Sequence, residues 1–280
     1  MKRNLLIFGT LMAVILLISP LSAFAAEAEG KTVVETPKEK KGIVPQPVSS
    51  NDQKEKQDSK GSELQDQKSV APVTMPVYQP PLRGAPGGRV GGGTRGIGDE
   101  VITLFALAPN HVALTTQEQP TLYWFVSNET KHPIEVTLII EEAAQPLLEK
   151  KLPLPIQPGI HAIRLKDFNL HLLKATQYRW FVALVPDPDR RSKDILAGGI
   201  IECIEVPETV RVKLSQSDKQ NIPHIYAESG IWYDTIMAIS ELIEANPNDM
   251  NLRKQRIALL EQVGLSQVAQ YELKQAGLAK

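Results

Sequence analysis

The chain has 280 residues, 31 Lys and Arg against 32 Asp and Glu, a formal net charge of −1 and a single cysteine. That balance excludes a general nucleic-acid binder, which needs a clearly basic face. The lone cysteine excludes a disulfide framework within the chain, so stability must come from an ordinary apolar core.

At the N-terminus, Lys2 and Arg3 precede an apolar run over residues 5–18, then Pro20 and the small residues Ala23 and Ala25. This order predicts a signal peptide over residues 1–25, because the run is shorter than the roughly 20 apolar residues that span a bilayer. The mature protein is then expected to be secreted, periplasmic or extracellular, with no stable transmembrane anchor after cleavage. No cysteine follows the apolar run, which closes the lipoprotein route.

Residues 26–82 read as a disordered linker. From 27 to 77 the stretch has no aromatic residue and is dominated by Lys, Glu, Asp, Gln, Ser and Pro, so it buries too little to offset its ordering entropy. Pro72, Pro76, Pro80 and Pro81 stiffen its end toward polyproline II, as a spacer.

Residues 83–97 form a Gly/Arg-rich lead-in containing RGAPGGRVGGGTRG. A phosphate loop needs Lys then Ser or Thr after its glycines, and a dinucleotide loop needs a strand before it and a helix after it. Here no Lys follows a glycine, linker precedes and strand follows, so both nucleotide readings fail. With Lys68 and Arg83, Arg89 and Arg95 lie in a stretch without an acid between Asp66 and Asp99, which makes Arg89 and Arg95 candidate contacts for an anionic polymer. A flexible lead-in is the plain reading. The sharper one has 91–96 folded along a sheet edge, Arg95 paired there, and 83–88 mobile.

Residues 98–207 show repeated period-two alternation, as in TLYWFVS and IEVTLIIEE. With VITLFAL, QPLLEKKL, GIHAIRL, QYRWFVALV and GGIIECIEV, seven strands at this spacing predict an immunoglobulin/fibronectin-like antiparallel β-sandwich. Leu172 and Tyr178 in LLKATQY resemble the tyrosine corner of fibronectin type III domains, whose phenol bonds back to the backbone. Trp124 and Trp180 are in phase with core positions, Trp232 suits interface packing, and Cys203 on its strand reads as a small buried side chain.

Between the last two strands lies DPDRRSKD, residues 187–194. A calcium loop fails for want of the turn glycine and closing Glu. The stretch reads either as a solvated hairpin with internal ion pairs or as a partner-binding loop through Asp187, Asp189, Arg190 and Arg191.

Residues 208–280 change to period 3.6 and predict a small three-helix module. HIYAESGIWYDTIMAISELIEANPND supplies the first helix, MNLRKQRIALLEQVGL the second and SQVAQYELKQA the third. The whole is mainly β plus C-terminal α. The first helix resembles part of a tetratricopeptide repeat, too little for a working superhelix.

The five histidines form no His-Glu-x-x-His pattern, and no Cys pair, nucleophile elbow or Ser-x-x-Lys is present. No catalytic, cofactor or metal residue is therefore assigned, although a carboxylate pair can come from positions far apart in sequence.

Several stretches together, Arg89-Val-Gly-Gly-Gly-Thr-Arg-Gly96, Leu104 to Pro109, Leu114-Thr-Thr, Pro120 to Phe125, Tyr178-Arg-Trp180, Arg191-Ser192 and Gly230-Ile-Trp-Tyr-Asp234, resemble the bacterial domain-of-unknown-function family numbered 928 over residues 83–265. The resemblance implies export and supplies no activity, substrate or catalytic residue. The expected function is a non-catalytic binding or scaffold protein of the cell envelope, with an envelope protein or polysaccharide as partner. Binding of a carbohydrate or anionic cell-wall polymer and an envelope hydrolase are the alternatives.

Overall fold

In TLYWFV every side chain is buried, although strict alternation implies one wet face. The reason is layering. The strand has a second sheet on one side and helices on the other, where Phe125 meets Tyr271 edge-on with ring centroids 4.9 Å apart. The structure, a computed structural model, describes residues 74–82, 87–97, 100–140 and 143–278, with only the backbone described for 93–97 and 100. The expected signal peptide and residues 26–73 of the expected linker lie outside the described residues.

In chain order the strands are β1 (Val90–Gly91), β2 (Gly93–Ile97), β3 (Glu100–Ala106), β4 (Ala113–Thr115), β5 (Thr121–Val126), β6 (Ile134–Ile140), β7 (Leu148–Lys151), β8 (Gly159–Arg164), β9 (Gln177–Leu184) and β10 (Ile195–Cys203). One sheet runs β1-β10-β9-β6-β7, with β4 added parallel to β10, and the other runs β2-β3-β5-β8. All other pairings are antiparallel. Alternation in β6 sends Ile134, Val136 and Leu138 inward, where they join Trp180 and Val182 of β9 and Leu104, Leu122 and Trp124 of the other sheet in one cluster. The backbone N–H of Leu173 donates to the Tyr178 hydroxyl at 2.8 Å, the back-bond that LLKATQY leads one to expect.

The Gly-rich stretch is strand. β1 belongs to one sheet and β2 to the other, so the chain changes sheets at Gly91 and Gly92. Both sit at positive φ, and a Cβ would fall 2.0 Å from the Leu196 carbonyl oxygen or 2.6 Å from the Phe105 ring. Only glycine passes there. At the half expected to be mobile, the N–H of Gly87 donates to the Asn110 carbonyl at 3.5 Å and Gly88 is buried, while residues 83–86 lie outside the described residues.

Residues 74–82, expected to be the end of a disordered spacer, are instead a strap on the fold. The Tyr78 N–H donates to Gln262 Oε1 at 2.8 Å, Gln262 Nε2 donates to the Pro76 carbonyl at 2.9 Å, and the Gln79 N–H donates to the Ala227 carbonyl at 3.0 Å. The Tyr78 ring is buried edge-on to Trp232 and its hydroxyl bonds His111 Nε2 at 2.8 Å. This uncharged, Pro-rich stretch docks through its two buried residues, Pro76 and the aromatic Tyr78.

Five helices follow, where period 3.6 predicts three: α1 (Glu208–Ser215), α2 (Ile222–Glu228), α3 (Trp232–Ala245), α4 (Met250–Gln262) and α5 (Ser266–Gln275). α1 is additional, and the expected first helix breaks into α2 and α3 at Gly230, whose φ is +74°. A Cβ on Gly230 would lie 2.7 Å from the Gln79 carbonyl oxygen, so the break makes room for the strap. Among the described residues, no helix is long and apolar enough to cross a membrane.

Replacing Gly230 with Ala places a side chain in left-handed backbone against the strap, and the expected cost is about 1–3 kcal/mol. Urea unfolding measures it as a lowered midpoint with an unchanged slope. An unaltered midpoint would show that the strap yields freely.

Candidate functional site

Two stretches far apart in sequence, Leu114-Thr115-Thr116 and Gly230-Ile-Trp-Tyr-Asp234, meet where the helices join the sheets. α3 starts after Gly230 and presents Asp234 in its first turn, where the helix dipole favours an anion. Asp234 is fully buried. Its carboxylate accepts from the Thr115 hydroxyl at 2.5 Å, from the Thr116 N–H at 2.9 Å, and from the Thr116 hydroxyl. Burial pushes this carboxyl up, against the pull of those three donors and of the Lys174 ammonium.

The neighbours complete the joint. Trp232 donates its indole N–H to the Leu107 carbonyl at 2.8 Å, Trp180 donates to the Tyr233 hydroxyl at 2.8 Å, and that hydroxyl donates to the Ile200 carbonyl at 3.2 Å. Lys174 Nζ donates to the carbonyls of Thr116 and Ile204, each at 3.2 Å, and to Cys203 Sγ at 3.4 Å. Cys203 is buried and its thiol is pushed up by burial, which leaves little thiolate for chemistry. All three tryptophans are fully buried, so none offers a face to a sugar.

A cleft of about 500 Å³ opens between the β8 end of one sheet and α3, α4 and α5. That volume suits a small ligand or part of a chain. Three arginines line it. Arg256 forms a nearly buried two-pronged pair with Glu272 and reaches Ser240 Oγ at 3.1 Å. Arg164 pairs with Glu244 at 3.5 Å, half in solvent, while Arg253 is held by the Pro247 carbonyl at 3.0 and 3.3 Å. Tyr123 stands in the wall with its phenol pushed up to about 12 by burial and then by Glu244 and Glu241. His161 also lines the cleft and stacks on Trp124 at 4.8 Å. A second cleft of about 620 Å³ lies beside α2 and the start of α4, where Asp249 accepts from the N–H groups of Asn251 and Leu252 and so caps α4.

The structure does not bring the sequence-derived candidates together. Arg89 points inward, and its guanidinium donates to the carbonyls of Ala108 at 3.3 Å and Val263 at 3.2 Å, tying sheet to helix while burial pushes its pKa down. It is a clamp, not a display. Arg95 lies in β2, and its side chain is outside the described residues.

Arg190 pairs with Asp187 at 2.6 Å, and Arg191 bridges Asp194 and Glu135, both at 2.7 Å. The stretch 187–194 is therefore a hairpin with internal ion pairs, pinned to β6 through Glu135. The arginine beside each acid holds Asp187 and Glu135 below their ordinary range. The Asp189 N–H donates to Asp187 Oδ1 at 3.2 Å and closes the turn. The cleft arginines come from two elements far apart in sequence, Arg164 from β8 and Arg253 and Arg256 from α4, and no local motif connects the strand with the helix. Among the described residues, no group of three His, Cys, Asp or Glu is placed to hold a metal ion.

A family model described as Domain of Unknown Function (DUF928) matches residues 90–273, which takes in both sheets and all five helices. No curated protein matches the chain.

Replacing Asp234 with Ala leaves the Thr116 N–H and both threonine hydroxyls without their acceptor, an expected loss of about 1–3 kcal/mol. Because the folded-state pKa is raised, the native protein binds this proton more tightly than the unfolded chain. Asp234 therefore favours folding below the ordinary carboxylate range, and that contribution is lost as pH rises through the raised value. Unfolding free energies measured across this window should fall with pH in the wild type and lack this component in the Ala variant.

Proposed function

On the premise that the chain belongs to this family of unknown function, we propose that it is an exported, non-catalytic binding or scaffold protein of the cell envelope, with the cleft between β8 and the helices as its ligand seat. The observation that carries the reading is the pairing of the acids around the cleft: Glu244 and Glu272 each face an arginine, so neither carboxylate stands free in the lining. The carboxyl that burial raises, Asp234, is sealed in the joint and meets no cleft. Three arginines against two glutamates leave the lining with a positive balance, which suits a ligand carrying an anionic group.

We read the two sheets as a fibronectin-like sandwich, supported by their shared core and by the Leu173 to Tyr178 back-bond. The α3–α4 pair carries the tetratricopeptide flavour. Export rests on the pattern of residues 1–25, and it places the partner, an envelope protein or a polysaccharide, outside the cytoplasm. A second reading, binding of an anionic cell-wall polymer, is favoured by Arg253, which a carbonyl rather than an acid holds.

Purified mature chain should retain an anionic envelope ligand in a salt-sensitive way, and Arg253→Ala should weaken that retention about tenfold. The same preparation should turn over no glycosidase, peptidase or esterase substrate. Turnover that disappears in Glu244→Gln would overturn the reading in favour of an envelope hydrolase.

A further inference from the structure

We infer that the cleft takes an extended peptide segment, which adds as a strand to the free edge of β8 and sets an acidic side chain against the arginines. The inference rests on the cleft being the ligand seat, and it names the partner class.

The backbone supplies the first argument. β8 is the last strand of its sheet and pairs only with β5. The Leu165 N–H donates to the Pro120 carbonyl, one step beyond the Arg164–Thr121 pair. Hydrogen-bonded pairs alternate in an antiparallel ladder, so Ile163, His161 and Gly159 turn their backbone groups toward β5. Ile160, Ala162 and Arg164 turn theirs away. Among the described residues, no hydrogen bond occupies the outward N–H or C=O of Ile160 or Ala162. All three residues line the cleft, so the unpaired donors and acceptors of Ile160 and Ala162 face it.

An open edge of this kind is a template for another strand, and proteins normally shield one with a covering element or an inward charge. Here the helices stand across a cleft instead of closing on the edge, and they supply Arg253 and Arg256 from α4 and Tyr271 from α5. The second argument is charge. Arg256 is occupied by Glu272 and Arg164 by Glu244, whereas Arg253 is held only by a backbone carbonyl and can take a carboxylate from the incoming chain. A free polysaccharide satisfies the charge but not the alternating N–H and C=O of the edge. A peptide satisfies both.

The test uses a blocked peptide of alternating valine and glutamate, about as long as β8, titrated against the whole chain by fluorescence anisotropy. Two N-methylated versions block alternate sets of its amide groups. One set should abolish binding and the other should leave it intact, because only one edge of the peptide faces β8. Ala162→Pro removes an outward donor while β5 keeps its partners at 161 and 163, and an edge strand tolerates proline. It should weaken binding about tenfold or more. If the proline variant fails to fold by circular dichroism, the N-methylated pair decides.

Equal binding by both N-methylated peptides overturns strand addition. Binding of polygalacturonate with no binding of the peptide also overturns it, but leaves the cleft as the ligand seat. Failure of both probes removes the seat and the strand together.

Discussion

A single buried carboxylate fixes how the helices meet the sheets. Asp234 is sealed from solvent and is tolerated because Thr115 and Thr116 turn three donors onto it. That requirement is directional. A purely apolar joint could slide by a residue at small cost, whereas this one loses its donors if α3 shifts by a single residue. Such a polar contact is a register mark more than a source of stability. Glu244 lies ten residues further along the same helix, about 15 Å at 1.5 Å per residue, so the position of the cleft's acidic wall is set by a hydrogen-bond pattern well away from it.

The cleft follows from what that joint permits. α3 and α5 cover the outer face of β5, where every residue is buried, whereas β8 beside it is half-buried along most of its length. The charged residues sit where cover ends and water begins. Arg256 and Glu272 are the inner case, nearly buried and mutually satisfied; Arg164 and Glu244 are the outer case, solvated and loosely paired. The same pairing is thus held away from water at one end of the cleft and left in it at the other.

The seven strands that alternation marks are all present, because a two-residue period survives wherever one face is buried, and Ile134, Val136 and Leu138 are the plainest case. Period 3.6 finds α3, α4 and α5 but runs α2 into α3, since an apolar stripe does not show that a distant carbonyl, that of Gln79, occupies the space beside Gly230. The strap escapes composition for a related reason. A window over residues 26–82 averages away one tyrosine, and that tyrosine is one of the two residues that dock. For the site, Arg89 was visible as a basic residue in a glycine stretch, but its direction depends on Ala108 and Val263, which no local pattern connects to it. The cleft arginines were legible only as ordinary charges on helices and a strand. Their convergence is tertiary information.

The strap also has a mechanical meaning. Tension arriving through the residues before Thr74 reaches the bonds at Pro76, Tyr78 and Gln79 before it reaches any strand, and it enters at the ends of α2 and α4. Those bonds and the Tyr78 ring lie between such a load and β1. A protein held by its leading segment would thus be gripped through its helices, at Gln262 of α4 and Ala227 of α2, ahead of either sheet.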